Sequence, residues 1–175
     1  QNPMPTAARP FLVTALLLGA CSKTDQPASM QSQPSGELVY VTNEDSRDLT
    51  VIDATTDSVV ATIFVGTRPR GVKVSPDGRT VYVALSGSPK CPPTMPDEEC
   101  EKLKTDPALD GVAVVDVVTR KTIKTLPAGL DPETFDVSAD GATLFVSNEA
   151  ADSATIVDIA SGKAMPAERT MARQD

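Results

Sequence analysis

Histidine and tryptophan are absent from all 175 residues, and two Tyr and four Phe supply every aromatic ring. Without histidine these residues offer no triad base, no imidazole metal ligand and no proximal haem ligand of that type. So few aromatics beside 15 Pro argue against a helical bundle. Basic residues are the scarcer sign, 16 against 24 acidic for a net charge of −8. That balance argues against a nucleic-acid partner, because phosphate binding needs clustered Lys and Arg. What is present is ordinary: 40% of residues are hydrophobic, enough for a globular core. The length suits one domain of about 100–200 residues.

Residues 1–20 read as a secretory signal, with Met4 a plausible true start and Arg9 the positive flank. Phe11 to Leu18 is an apolar run of eight, well short of the roughly 20 residues that a membrane-spanning helix needs. The run ends in Leu18-Gly19-Ala20-Cys21, which resembles the lipobox of bacterial lipoproteins. The resemblance implies that Cys21 becomes the acylated first residue of the mature chain; the alternative is a simple secretory signal followed by an unrelated Cys. Residues 21–36 are polar and rich in Ser, Gln and Pro. A flexible tether of that length spans ~20 Å root-mean-square and would hold a folded body close to a membrane. Removing the signal leaves 15 basic residues against 24 acidic, a mature net charge of −9.

The body, residues 37–175, is a repeat. Leu38 to Asn43 (LVYVTN) has echoes at Thr80 to Ala84 (TVYVA) and at Thr143 to Asn148 (TLFVSN). Tyr40 and Tyr82 are 42 residues apart, and Tyr82 and Phe145 are 63 apart. A second anchor, Asp53, Asp116 and Asp158, runs in the opposite order, 63 and then 42. Both agree on a period of 42 with a 21-residue insertion between Leu85 and Gly111. Gly66 to Pro69 and Gly129 to Pro132 repeat the same spacing of 3. Each period holds four β-type segments, exemplified by Gly71 to Ser75, Thr80 to Leu85, Leu49 to Asp53 and Ser58 to Val65. Four strands in ~40–45 residues is the arithmetic of a β-propeller blade. The expected fold is therefore all-β, a propeller of four-stranded antiparallel blades. About eleven strands are counted, roughly 2.75 blades.

Tyr40-Val41-Thr42-Asn43 is the string after which the YVTN-type β-propeller repeat family is named. The run from Val65 to Gly78 also resembles that family. The run from Gly129 to Gly141 (GLDPETFDVSADG) is similar to members associated with quinone-cofactor-dependent alcohol catabolism. The resemblance implies a seven-bladed propeller in the bacterial envelope, of which this chain is a fragment, and a family usually without an assigned reaction. The insertion departs from the pattern.

With Cys21 lipidated, Cys91 and Cys100 remain in an oxidising compartment and are expected to pair as a structural disulfide. The insertion also carries Asp97, Glu98, Glu99, Glu101, Asp106 and Asp110, without calcium-loop spacing, so it is read as a solvated acidic loop. In a propeller, the loops after the fourth strand and between the second and third share one face with this insertion. That face would gather Arg68 and Arg70 from one repeat, and Asp131 and Glu133 from the next with the charge reversed. It would also gather the equivalent pairs Asn43-Glu44 and Asn148-Glu149. The recurrent Asp53, Asp116 and Asp158 are read as strand-end turn formers.

No catalytic residue, metal site or cofactor is assigned within the segment. The expected function is a non-catalytic ligand- or protein-binding scaffold lipoprotein of the bacterial cell envelope. It would sit on the outer membrane or face the periplasm, accessory to a periplasmic quinone-dependent dehydrogenase system. The partners are the membrane, through the anchor, and a periplasmic protein or small ligand. The alternatives are a propeller enzyme, either a lactonase-like hydrolase or an electron-transfer domain, and a surface adhesin.

Overall fold

The computed structural model describes residues 36–100 and 102–166. The expected signal, Cys21 and the expected tether up to residue 35 lie outside them. Eleven strands occur in order, interrupted by the insertion: β1 (Leu38–Asn43), β2 (Asp48–Asp53), β3 (Ser58–Phe64), β4 (Pro69–Val74), β5 (Thr80–Leu85), β6 (Gly111–Asp116), β7 (Lys121–Leu126), β8 (Pro132–Val137), β9 (Thr143–Asn148), β10 (Ser153–Asp158) and β11 (Ala164–Pro166). They form three antiparallel sheets with neighbouring strands in chain order. These are the blades of a β-propeller: blade 1 is β1-β2-β3, blade 2 is β4-β5-β6-β7 and blade 3 is β8-β9-β10-β11. Blade 1 has no strand before β1 among the described residues.

The sequence period is the structural period. Val41 lies opposite Thr50, Val83 opposite Ala113 and Val146 opposite Thr155, the same two positions in each blade. The first strand of a blade starts two residues earlier than the alternating Gly71 to Ser75 segment indicates. Pro69 and Pro132 open β4 and β8, and each pairs across to the end of the next strand before a bulge. Proline is tolerated there because it donates nothing to the ladder at the first residue of a strand.

Turn chemistry repeats as well. The Thr55 and Thr56 N–H groups donate to Asp53 Oδ1 at 2.8 and 3.2 Å. Thr119 N–H and hydroxyl donate to Asp116 Oδ1 at 2.6 and 2.7 Å, and Ser161 N–H and hydroxyl to Asp158 Oδ1 at 2.8 and 2.5 Å. The aspartates expected to form turns do so, one per blade. The Thr119 hydrogen bonds hold the Asp116 carboxyl below its usual pKa, and those from Ser161 do the same for Asp158. Between the first two strands of a blade, the Ser75 hydroxyl donates to Asp77 at 2.6 Å and the Ser138 hydroxyl to Asp140 at 2.5 Å. Those hydroxyls are the main reason both carboxyls are also held low.

Two apolar layers weld the blades. Leu49, Val51, Ile63 and Val65 of blade 1 and its exit pack on Val81, Val83, Leu85, Ala113 and Val115 of blade 2. One period on, Tyr82, Val112, Val114 and Leu126 of blade 2 pack on Phe135, Leu144, Val146 and Val157 of blade 3. Alternation does this in the two central strands of blade 2: odd and even positions of β5 and β6 serve opposite neighbours, and all but one residue of each strand is buried. Each fully buried Val or Leu contributes about 1.5–3 kcal/mol relative to exposure. The Gly-x-x-Pro element closes the layer. At Gly129, where φ is +93°, an added Cβ would sit 2.5 Å from Asn148 Nδ2, and at Gly66 it would sit 2.6 Å from Leu85 Cδ1. Only glycine accommodates both the backbone and the contact.

Candidate functional site

The eight candidate residues lie in the loops and strand ends at one end of the blades, but they divide into separate groups. The largest is built around Arg70 on β4. Gly71 follows it, and a Cβ there would stand 2.8 Å from the Glu133 carbonyl oxygen. The first strands of blades 2 and 3 therefore run nearly backbone to backbone at this point, which brings Arg70 beside its equivalent, Glu133. The Arg70 guanidinium is 2.8 Å from Glu133 Oε1, 2.9 Å from Glu149 Oε2 and 3.5 Å from Asp131 Oδ1. Its side chain is only 14% exposed, whereas Glu133 and Glu149 are about half-exposed. Burial on its own would lower the Arg70 pKa; the Glu149 hydrogen bond and the fields of Glu133, Glu149 and Asp131 outweigh it and raise the pKa. One cation thus faces three carboxylates, and the group presents net negative charge to solvent.

Asp131 lies at the bottom of this group, buried, with φ at +52°. Arg68, at the equivalent position before Pro69, adopts φ of +43°. A non-glycine residue in this region is strained unless its surroundings fix it. Asp131 is fixed from three sides. Its carboxylate accepts from the Ser86 hydroxyl and pairs with Arg70, its N–H donates to Asp110 Oδ2 at 3.0 Å, and its carbonyl accepts the Glu149 N–H at 3.0 Å. Ser86 is fully buried, so its hydroxyl is a strut and not an accessible nucleophile.

Arg68 points the other way. Its Nε donates to Glu44 Oε2 at 3.2 Å, and its Nη1 reaches the Ser88 and Pro89 carbonyls at 3.3 and 3.2 Å. It therefore ties the root of the insertion to blade 1. Lys90 adds an exposed ion pair to Asp45 at 3.0 Å. The insertion root closes on itself where the Asp106 N–H donates to the Gly87 carbonyl at 3.0 Å and Asp110 Oδ1 accepts the Gly87 N–H at 2.6 Å. Beyond this root are the disulfide Cys91–Cys100, with Cα atoms 5.7 Å apart, a short helix α1 (Asp97–Cys100) and a 3₁₀ turn at Pro107–Leu109. The helix has acidic residues throughout its first turn and no buried residue.

Asn43 and Asn148 belong to neither charged group. The Asn43 amide donates to Asp48 Oδ1 at 2.7 Å and Thr50 Oγ1 at 2.8 Å, and the Asn148 amide donates to Thr155 Oγ1 at 2.7 Å. Both brace their own blades. Blade 2 fills the same two positions with Leu85 and Ala113, an apolar pair in place of a polar one. Asn148 Oδ1 is buried without a hydrogen-bond partner.

Ser86 and Asp110 hold the insertion against blade 3; sequence reasoning did not single out Ser86, and it counted Asp110 among the carboxylates of a solvated loop, whereas Asp110 accepts the Gly87 and Asp131 N–H groups. A signal exists for each. Ser86 stands at the repeat position of Glu44 and Glu149, and Asp110 at that of Arg47 and Asp152, so both mark where the insertion leaves and rejoins the pattern. Among the described residues, no three His, Cys, Asp or Glu side chains are arranged to hold a metal ion.

No protein-family model and no curated protein matches this chain. Solved structures do. The chain is similar to the hydrazine synthase of Kuenenia stuttgartiensis at 26% identity and a TM-score of 0.59, over 77% of this chain and 35% of that one. A putative 6-phosphogluconolactonase of Bacteroides fragilis matches at 19% identity and a TM-score of 0.55, over 78% and 36% of the two chains. The dihydro-heme d1 dehydrogenase NirN matches at 22% and 0.55, over 79% and 27%. These likenesses are to propeller proteins and establish the fold. The chain spans about a third of their length or less.

Proposed function

We propose that this chain is a non-catalytic binding scaffold of the bacterial cell envelope, held at a membrane through acylated Cys21. It presents its disulfide-closed insertion to a protein partner of a periplasmic quinone-dependent dehydrogenase system. One observation carries the binding role: the charged residues of the candidate face are consumed in holding loops. Arg70 is saturated by three carboxylates, Arg68 by Glu44 and two insertion carbonyls, and Ser86 is buried against Asp131. An arrangement that spends its polar groups on anchoring a projecting loop supports recognition by that loop, since binding residues concentrate on loops set by a rigid scaffold.

The test is site-specific photo-crosslinking in cells that produce the chain. A crosslinker at Glu98, in the insertion, should yield one defined protein adduct, and the same group at Ile123 on β7 should not. Replacing residues 91–100 with a Gly-Ser linker should abolish binding of that partner. Equal labelling from both positions would overturn the proposal. Hydrolysis of a lactone by the purified chain that disappears in Glu133→Gln would replace it with an enzymatic reading. Anchoring is checked separately: incorporation of an alkyne fatty acid should be lost in Cys21→Ser.

A further inference from the structure

The chain enters the body at one end of the blades, and the insertion leaves from the other. An added Cβ on Gly36 would sit 2.7 Å from Thr55 Oγ1 and 3.4 Å from Asp53 Oδ1, and the Glu37 carbonyl accepts the Ala54 N–H at 2.9 Å. Gly36 and Glu37 therefore lie against the turn that joins β2 to β3. Leu38, the first residue of β1, is opposite Asp53, and Thr80 and Thr143 stand opposite Asp116 and Asp158 in the same way. The three aspartate turns thus mark the entry end of the blades. From there β1 runs six residues, about 17–20 Å, to Asn43. At that far end the Thr42 hydroxyl donates to the Arg70 carbonyl at 2.8 Å, and Glu44 and Asp45 pair with Arg68 and Lys90. The insertion root is there too, since Leu85 lies opposite both Pro69 and Gly111.

Cys21 stands 15 residues before Gly36. An acyl group on Cys21 would keep the entry end within the contour of those residues, at most ~50 Å from the anchor. With the entry end down, little of that reach is used. With the insertion down, Gly36 must be lifted by a further strand length of ~20 Å and by the height of the insertion. Extending a chain removes conformations from it, so the first orientation is favoured. We propose that the entry end, with its aspartate turns, faces the membrane and that the insertion is presented on the side away from it. The partner then meets the insertion from the aqueous side, as a water-soluble protein or a water-exposed domain, and not as a lipid-embedded segment. This orientation rests on the acyl anchor and the binding role proposed above, and adds to them a side and a class of partner. It is set by the path of the chain from Gly36 through β1 and is the same for any number of blades.

The test compares lipid contact at the two ends. The full chain, purified from cells that acylate it, carries a photo-crosslinker at Thr56 in the β2–β3 turn or at Glu98 in the insertion, both exposed. It is added to preformed vesicles of phosphatidylethanolamine and phosphatidylglycerol, irradiated, and its phospholipid adducts are counted by mass spectrometry. Adducts at residue 56 should exceed those at residue 98 severalfold, and deletion of residues 25–34 should widen the difference. In cells, the peptide crosslinked to residue 98 should come from a water-exposed part of its partner. Equal lipid labelling from both positions on an acylated chain, or more from residue 98, overturns the orientation and leaves the anchor standing. A partner peptide from a membrane-spanning segment overturns it as well. Absence of an acyl group on Cys21 removes the anchor and this orientation together. Absence of a protein adduct at residue 98 overturns the binding role and the class of partner, while the lipid comparison still decides the orientation.

Discussion

Between blades 1 and 2, Leu49, Val51 and Ile63 lie on Val81, Val83 and Leu85, and every one of these side chains is buried. Immediately after Leu85 the chain enters an insertion whose helix buries nothing. The insertion is fastened by two backbone N–H groups that donate to the Asp110 carboxylate, by Arg68 and by one disulfide. The blades are thus stabilised by area and the insertion by a few directional contacts. Loss of apolar area is felt throughout a cooperative fold, whereas loss of a tie is felt where the tie was. A propeller can consequently carry a long, variable loop without altering its core, which suits a scaffold that displays one.

Substitutions separate the two regimes. Leu144→Ala removes a fully buried side chain at the blade 2–blade 3 layer and should destabilise the whole body by about 2–5 kcal/mol, read as a lower melting temperature. The Cys91→Ser, Cys100→Ser double variant opens a loop whose closure stabilises by at most ~2.7 kcal/mol. That loss should stay within the insertion. Proteolysis and amide exchange at residues 91–104 should accelerate while the melting temperature of the blades changes little. A global shift as large as that of Leu144→Ala would mean that the insertion is part of the core.

Arg70→Met joins the regimes. It leaves Asp131 buried, still accepting from Ser86 but without its cation, while the half-exposed Glu133 and Glu149 turn to water. A cost of about 1–3 kcal/mol is expected, below that of a fully buried pair because two of the three partners are solvated. Acid gives a smaller and more gradual loss. Asp77, Asp116, Asp140 and Asp158 all have folded pKa values below their ordinary ones. Their contribution is therefore fully present above the unfolded carboxylate value of about 4 and fades as pH falls through the folded values. Urea midpoints should be flat from about pH 7 to 5 and decline below about pH 4. Asp116→Asn with Asp158→Asn should flatten that decline.

The blades were legible in the sequence because a period written into the chain is written into the structure: Tyr40, Tyr82 and Phe145 predict one another. The site was legible only in part. Equivalence in the repeat placed Arg70 beside Glu133, since neighbouring first strands put equivalent positions side by side. It gathered Arg68 onto the same face without saying which partner it takes, and the structure separates it from the Arg70 group. Arg68 turns to Glu44 and to the Ser88 and Pro89 carbonyls, and those carbonyls belong to the insertion, which has no counterpart in any other repeat. Ser86 escaped and Asp110 was read as a solvated carboxylate for the same reason, because periodicity carries no information about residues that hold a unique segment in place.

The finest comparison is between blades 2 and 3 at a single pair of positions. Blade 3 buries Asn148 and Thr155, joined by one hydrogen bond, with Asn148 Oδ1 left without a partner. Blade 2 buries Leu85 and Ala113 in the same places, against Gly66 as Asn148 lies against Gly129. Asn148→Leu alone would strand the Thr155 hydroxyl, and Thr155→Ala alone would strand the Asn148 amide; each should cost about 1–3 kcal/mol. The double variant installs the pair that blade 2 already tolerates and removes the orphaned oxygen, so its net effect should lie near zero or be slightly stabilising. A double-mutant cycle by urea denaturation should give a favourable coupling of about 2 kcal/mol or more, the sum of the two single losses that the double variant escapes. Additive losses would mean that the two blades, despite a shared register, do not offer the same space at this position, and that the polar pair is required by the shape of blade 3.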